Sequence, residues 1–208
     1  MVRKRTIALA VVGGVVAGLG AANLYQRAAT ETVPYTVVAR LDDVELRRYP
    51  ESVVVETAAD SQSAAFRRLF RYITGANEGE TDIEMTAPVE LSANGATISM
   101  TAPVEIGGDD DNRMRFYLPA EYDIERAPRP TDDSVELLEI PARTLAVRRF
   151  SCRPTEARID RETEALLETL DAANVPLAGE PFFMGYDAPW TLPFLRRNEV
   201  AVEVDSSF

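Results

Sequence analysis

A segment in the first half of the chain recurs in the second half at a fixed displacement, and this duplication limits the fold more than any other feature. Val44-Glu45-Leu46, followed by Pro50 and the run Val53-Val54-Val55, returns as Val135-Glu136-Leu137, followed by Pro141 and Leu145-Ala146-Val147. Val44 to Val135 and Pro50 to Pro141 are both steps of 91 residues. Each copy reads as two strands bent about a proline, because a residue without an N–H belongs at a strand edge or turn. Each copy then runs into a helix. In the first, Asp60 or Ser61 caps a segment whose Phe66, Leu69, Phe70 and Ile73 fall at i, i+3, i+4 and i+7, and Gly75 stops it. In the second, Pro154 and Thr155 open a helix carrying Ile159, Thr163, Leu166, Leu167 and Leu170, ending near Asn174.

Strand-like segments follow each helix: 83–91, 98–106 and 114–118 in the first half, then 182–186 and 199–204 in the second. The unit is therefore ββα followed by strands, twice. Two such units can join into one curved sheet or open barrel with a helix from each packed against it, an α+β fold. Asn94-Gly95 separates two nearly identical segments, each containing Met-Thr-Ala-Pro-Val, and signals a hairpin between them.

The N-terminus has a different character. Arg3, Lys4 and Arg5 precede an uncharged run over residues 7–25, about 28 Å long as a helix and close to a bilayer's hydrocarbon thickness. Residues 1–30 are expected to be a membrane anchor or signal segment, with a single-pass transmembrane helix favoured over a cleaved export signal. Gly20-Ala21-Ala22 is a mediocre cleavage site. The positive-inside rule then places the remaining domain, residues 31–208, outside the cytoplasm; after cleavage it would be secreted.

That domain is acidic. The chain has 22 cations and 34 acids, and residues 1–30 hold four of the cations and no acid, so the body carries a net charge of −16. Such a surface repels phosphate backbones and argues against a nucleic-acid partner. Abundant Asp and Glu with a single lysine, Lys4, resembles the salt-adapted proteins of halophilic archaea. The chain has no histidine and one cysteine, Cys152. These counts remove Ser-His-Asp and Cys-His catalysis, His-ligated zinc, His-ligated haem and any internal disulfide. Asp109-Asp110-Asp111 lacks the alternating ligands of a calcium loop and reads as a solvated turn. No catalytic constellation is apparent, and the chain is not expected to be an enzyme.

The chain resembles the SOUL haem-binding protein family. The resemblance is carried by Tyr35-Thr36-Val37-Val38, by Val44-Glu45-Leu46-Arg47-Arg48-Tyr49-Pro50 and by Phe70-Arg71-Tyr72-Ile73-Thr74-Gly75-Ala76-Asn77. Both Met-Thr-Ala-Pro-Val segments, Phe116-Tyr117-Leu118-Pro119 and Gly185-Tyr186-Asp187-Ala188-Pro189-Trp190 continue it over residues 33–205. It implies a distorted barrel of two pseudo-symmetric halves with two helices. It also implies non-covalent binding of haem or another tetrapyrrole in an apolar groove against the first helix.

Carried onto this chain, the groove positions are Phe66, Leu69, Phe70 and Ile73, with Arg67, Arg68 and Arg71 beside them as partners for propionates. The same four apolar residues are also what a helix needs to face a sheet, so the stripe is expected to be chiefly core, with the groove built partly from its edge. Without histidine, an iron ligand would have to be Met, Tyr, Cys or nothing. Met85 and Met100 in the repeated motif are taken as site candidates, with Met114 in the following strand, Met184 near the C-terminal hairpin and the Cys152 thiolate as further candidate ligands, although methionines in alternating strands usually pack in a core. The leading expectation is a membrane-anchored tetrapyrrole carrier, buffer or transfer protein. The alternative is a non-haem small-ligand or protein-interaction module on the same scaffold.

Overall fold

A computed structural model describes residues 32–92, 113–187 and 191–205. Nine strands and two helices follow in chain order: β1 (Thr36–Leu41), β2 (Val44–Tyr49), β3 (Ser52–Ala58), α1 (Gln62–Ile73), β4 (Val89–Ser92), β5 (Arg113–Tyr117), β6 (Glu136–Ile140), β7 (Arg143–Phe150), α2 (Glu156–Ala172), β8 (Phe182–Gly185) and β9 (Asn198–Glu203). All strand pairings are antiparallel and form one sheet in the order β1-β2-β7-β9-β8-β4-β5-β3-β6. The fold is α+β, a curled, open half-barrel with two helices.

The duplicated strands exchange partners. β2 and β3 flank Pro50 yet do not pair with each other; β2 pairs with β7 and β3 with β6. The registers obey the duplication residue by residue. Glu45 opposite Val147 becomes, after moving one residue forward and the other back by 91, Glu136 opposite Glu56, and Tyr49 opposite Arg143 becomes Ile140 opposite Ser52. Both are observed. The prolines thus do more than end a strand: each passes the chain from one half of the sheet to the other, which locks the halves together.

Both helices have stops written in the sequence. Ser61 Oγ accepts from the Ala64 N–H, which makes Ser61 the N-cap of α1. At the other end the N–H of Ala76 bonds Arg71 O and that of Gly75 bonds Tyr72 O, a Schellman closure that places Gly75 at φ 103°. α2 starts after Thr155 and closes in the same pattern, with Asn174 at φ 52° in the glycine position and Val175 N–H on Leu170 O.

One expected strand is shorter than read. Only Val89–Ser92 of the segment 83–91 is strand, and residues 83–88 run irregularly, with an isolated bridge from Ala87 to Thr32 in the segment before β1. Pro88 has no N–H to give a ladder. The Asn94-Gly95 hairpin, the second Met-Thr-Ala-Pro-Val and the Asp109–111 turn lie outside the described residues, as does the run 7–25. Among the described residues no helix is long and apolar enough to cross a membrane.

Curling buries both faces of the sheet. One face packs against the helices through Val44, Leu46, Val55, Phe116, Ala146 and Val202, met by Leu69 and Tyr72 of α1 and Leu166 and Leu170 of α2. The other lines the inside of the half-barrel with Val54, Tyr117, Leu145, Phe182, Met184 and Ala201.

Candidate ligand site on the first helix

The buried face of α1 is Ala65, Leu69, Tyr72 and Ile73. Leu69 is fully buried and Ile73 nearly so, both within the core cluster. Placed there, they support the helix and do not line the depression along its exposed face, so of the apolar stripe these two are core, as part of it was expected to be. Phe66 and Phe70, one position further round the helix in each turn, are 37% and 44% exposed. Their rings stack at 5.9 Å with 14° between planes, and the Phe66 ring meets Phe116 of β5 edge-on at 5.3 Å. Phe116 anchors the pair to the sheet, so the two phenyl faces are held in place while remaining open to solvent. Two large exposed aromatics side by side on one helix are the apolar feature most in need of explanation at this surface.

A depression of about 350 Å³ runs along this face, lined by Ala64, Phe66, Arg67, Arg68, Phe70 and Arg71. The three arginines are differently engaged. Arg68 Nη1 donates to the Ala58 carbonyl at 2.8 Å, which ties it back to the end of β3. Arg71 Nη2 meets Asp132 Oδ2 at 3.4 Å. Arg67 has no ion-pair or hydrogen-bond partner among the described residues and is exposed. Asp132 itself is held by Ser134, whose N–H and hydroxyl both donate to Oδ1. Those bonds, with the nearby Arg68 and Arg71, hold its carboxyl below its ordinary pKa.

Met85, the other site candidate within the described residues, is half-buried and packs against the core cluster rather than lining the depression. Met100 lies outside the described residues. Met114 and Met184 are buried in the sheet, and Cys152 sits half-buried between β7 and α2. The lining therefore offers a flat apolar face and cations but no imidazole, thioether or thiol. Such a lining suits a flat apolar plate bearing carboxylates. Among the described residues no group of His, Cys, Asp or Glu is placed to hold a metal ion.

Three buried carboxylates, Glu56, Glu90 and Glu199, went unrecognised in the sequence. Glu90 Oε2 accepts from Tyr117 Oη and Arg143 Nη2, both at 2.8 Å, and its Oε1 accepts from Arg115 at 2.9 Å. Glu199 accepts from Arg47 at 2.8 Å, Arg197 at 2.9 Å and Tyr186 Oη at 2.7 Å. Glu90 and Glu199 stand on the inner face of the half-barrel and Met184 lies between them, opposite Glu90 on one side and Glu199 on the other. Arg115 also bonds Glu56. Each carboxylate is fully satisfied by the protein, so the network fastens the two halves rather than presenting free polar groups. Glu45 and Glu136, the recurring acids of the repeat, do not form a pair: Glu45 bonds Arg40 and Arg47, and Glu136 faces solvent at the sheet edge.

The class the fold defines is the α+β domain built on a curled, open antiparallel half-barrel with two helices. The chain belongs to the SOUL heme-binding protein family, whose description matches residues 30–203. That family binds haem non-covalently. No curated protein matches the chain.

Several solved structures share the fold. A cryo-EM structure of an EcmrR–DNA complex is 13% identical, over 98% of this chain and 70% of the other, at a TM-score of 0.54. An uncharacterised conserved protein from Listeria innocua is 11% identical, over 80% of this chain and 94% of its own, at a TM-score of 0.54. A hydrolase from Listeria innocua is 10% identical, over 81% and 94%, at 0.53. At these identities the likeness is one of fold.

Proposed function

We propose that this protein binds haem or another tetrapyrrole on the exposed face of α1 and serves as a carrier, buffer or transfer protein rather than an enzyme. The observation that carries the reading is the stacked Phe66–Phe70 pair, exposed beside three arginines on an otherwise acidic domain. The phenyl faces give a macrocycle an apolar surface to cover. Arg67, free of internal partners among the described residues, gives a ligand carboxylate its first cation, with Arg71 one helical turn further along. When bound, haem would supply a porphyrin-held iron, for which the described lining residues offer no thioether, thiol or imidazole. Binding of this kind rests on contact area and charge, which suits reversible loading and release.

Residues 7–25, uncharged and preceded by three cations, support a single-pass anchor with the acidic domain on the extracytoplasmic side. Tethering would confine exchange of an apolar ligand to the membrane surface.

Titration of haemin into the full-length protein, followed at the Soret band, tests the reading. A saturable shift at one haemin per chain is expected. A spectrum that remains that of free haemin while the protein is folded would overturn the reading and move the function to a non-haem ligand or a protein partner.

A further inference from the structure

Of the three arginines beside the phenyl pair, Arg71 alone is ion-paired to a carboxylate among the described residues, with Arg68 also within electrostatic reach of it. Asp132 lies in the turn before β6, 61 positions further along the chain, and Oδ2 stands 3.4 Å from Arg71 Nη2. Its orientation is fixed from behind: Oδ1 accepts from the Ser134 N–H at 3.0 Å and from the Ser134 hydroxyl at 2.5 Å, which leaves Oδ2 to face the helix. Thr131 Oγ1 donates to Ala76 O at 2.9 Å, and Tyr72 Oη donates to Pro128 O at 2.7 Å, so the turn is also pinned to the end of α1. The carboxylate is therefore built into place at the edge of the depression rather than swept through it by a loose loop.

We infer that Asp132 is a specificity-determining residue of the α1 site, a resident carboxylate that occupies Arg71 and that a ligand carboxylate must displace. This rests on the reading of α1 as the tetrapyrrole site. The consequence is an asymmetric site: Arg67 receives the first ligand carboxylate without competition, and Arg71 receives a second only in exchange for Asp132. A ligand with one accessible carboxylate then loses little relative to one with two, and a second anionic group gains less than the three arginines would suggest. The exchange involves exposed charges, so it is strong in dilute salt and fades as salt screens it.

Asp132→Asn tests this without disturbing the turn, because the amide oxygen can still accept from Ser134 while the charge on Arg71's partner is gone. Protoporphyrin IX and its dimethyl ester share a macrocycle and differ in carboxylate charge, and each is titrated into full-length wild type, Asp132→Asn and Asp132→Glu. In about 0.1 M salt the diacid is expected to bind Asp132→Asn about three- to fivefold more tightly than wild type, with Asp132→Glu close to wild type and the gain shrinking in molar salt. The ester is expected to bind all three alike. If wild type binds the diacid but Asp132→Asn binds it equally or more weakly, or if the ester gains as much as the diacid, the role of Asp132 is overturned and the site stands. If wild type binds neither porphyrin, the site itself is overturned, and the inference with it.

Discussion

Arg47 on β2 donates to Glu199 on β9 at 2.8 Å across the inside of the half-barrel, where the two side chains are 4% and 0% exposed. The strands are not neighbours, since β7 runs between them, so the contact fastens the sheet across its curl. The ring of Tyr35 lies 4.4 Å from the Arg47 guanidinium and Tyr186 Oη completes the carboxylate's shell.

Removing one partner of such a pair leaves buried charge uncompensated. Glu199→Ala takes from Arg197 its carboxylate partner and leaves Arg47 with Glu45 alone, and is expected to cost about 3–5 kcal/mol in chemical denaturation at constant salt. A loss below about 1 kcal/mol would show that water reaches the network and that it does not hold the halves together.

Phe66 and Leu69 are three residues apart on one helix and are expected to respond in opposite ways. Leu69→Ala opens a cavity in the core and should cost about 2–5 kcal/mol of stability. Haemin affinity of the protein that still folds should change little. Phe66→Ala removes a ring that is already partly in water, so stability should change far less while haemin affinity falls. Paired melting and Soret titrations of both variants check this separation.

Much of the fold was legible because local signals matched the tertiary outcome. Pro50 and Pro141 marked the bends, Ser61 and Thr155 the helix starts, and Gly75 and Asn174 the stops. The exchange of partners between β2 and β3 was not legible, since a repeat reports that two units are alike and not which strands pair. The apolar spacing of α1 found the helix but not its edge: Phe66, Leu69, Phe70 and Ile73 fit one stripe on paper, whereas the sheet takes Ala65, Leu69, Tyr72 and Ile73. Leu69 and Ile73 belong to both sets, while Phe66 and Phe70 each stand one residue, about 100° round the helix, past the buried Ala65 and Leu69. Glu90 and Glu199 were missed for a related reason. Alternation along an antiparallel strand normally means one wet face, but here the sheet curls and both faces are buried.

Gly75 sits at φ 103° with no atom closer than 3.8 Å to where a Cβ would stand. Gly75→Ala is therefore strained by backbone conformation and not by collision, with an expected loss of about 1 kcal/mol. Thermal unfolding at fixed salt measures it, and an unchanged midpoint would mean the helix end relaxes to another turn.

Tyr72 is buried beneath the site with its hydroxyl on Pro128 O, and burial pushes its pKa from 10.0 up to about 12. The fold favours the neutral phenol, so this contribution is complete below pH 10 and is lost as pH rises from 10 toward 12, where the unfolded chain ionises first. Stability should fall across that window by about 2–3 kcal/mol from this group. In Tyr72→Phe the decline should be shallower. An equal slope in both proteins would assign it to other tyrosines.

The central claim is that the exposed phenyl pair of α1 is the surface a tetrapyrrole covers. The most direct measurement compares haemin dissociation constants of full-length wild type and the double variant Phe66→Ala/Phe70→Ala in molar salt, with circular dichroism recorded on the same samples. Saturable one-to-one binding to wild type, weakened at least tenfold in a variant that retains its fold, is the expected result. Equal affinity in the two folded proteins would contradict the claim and place the ligand elsewhere on the half-barrel.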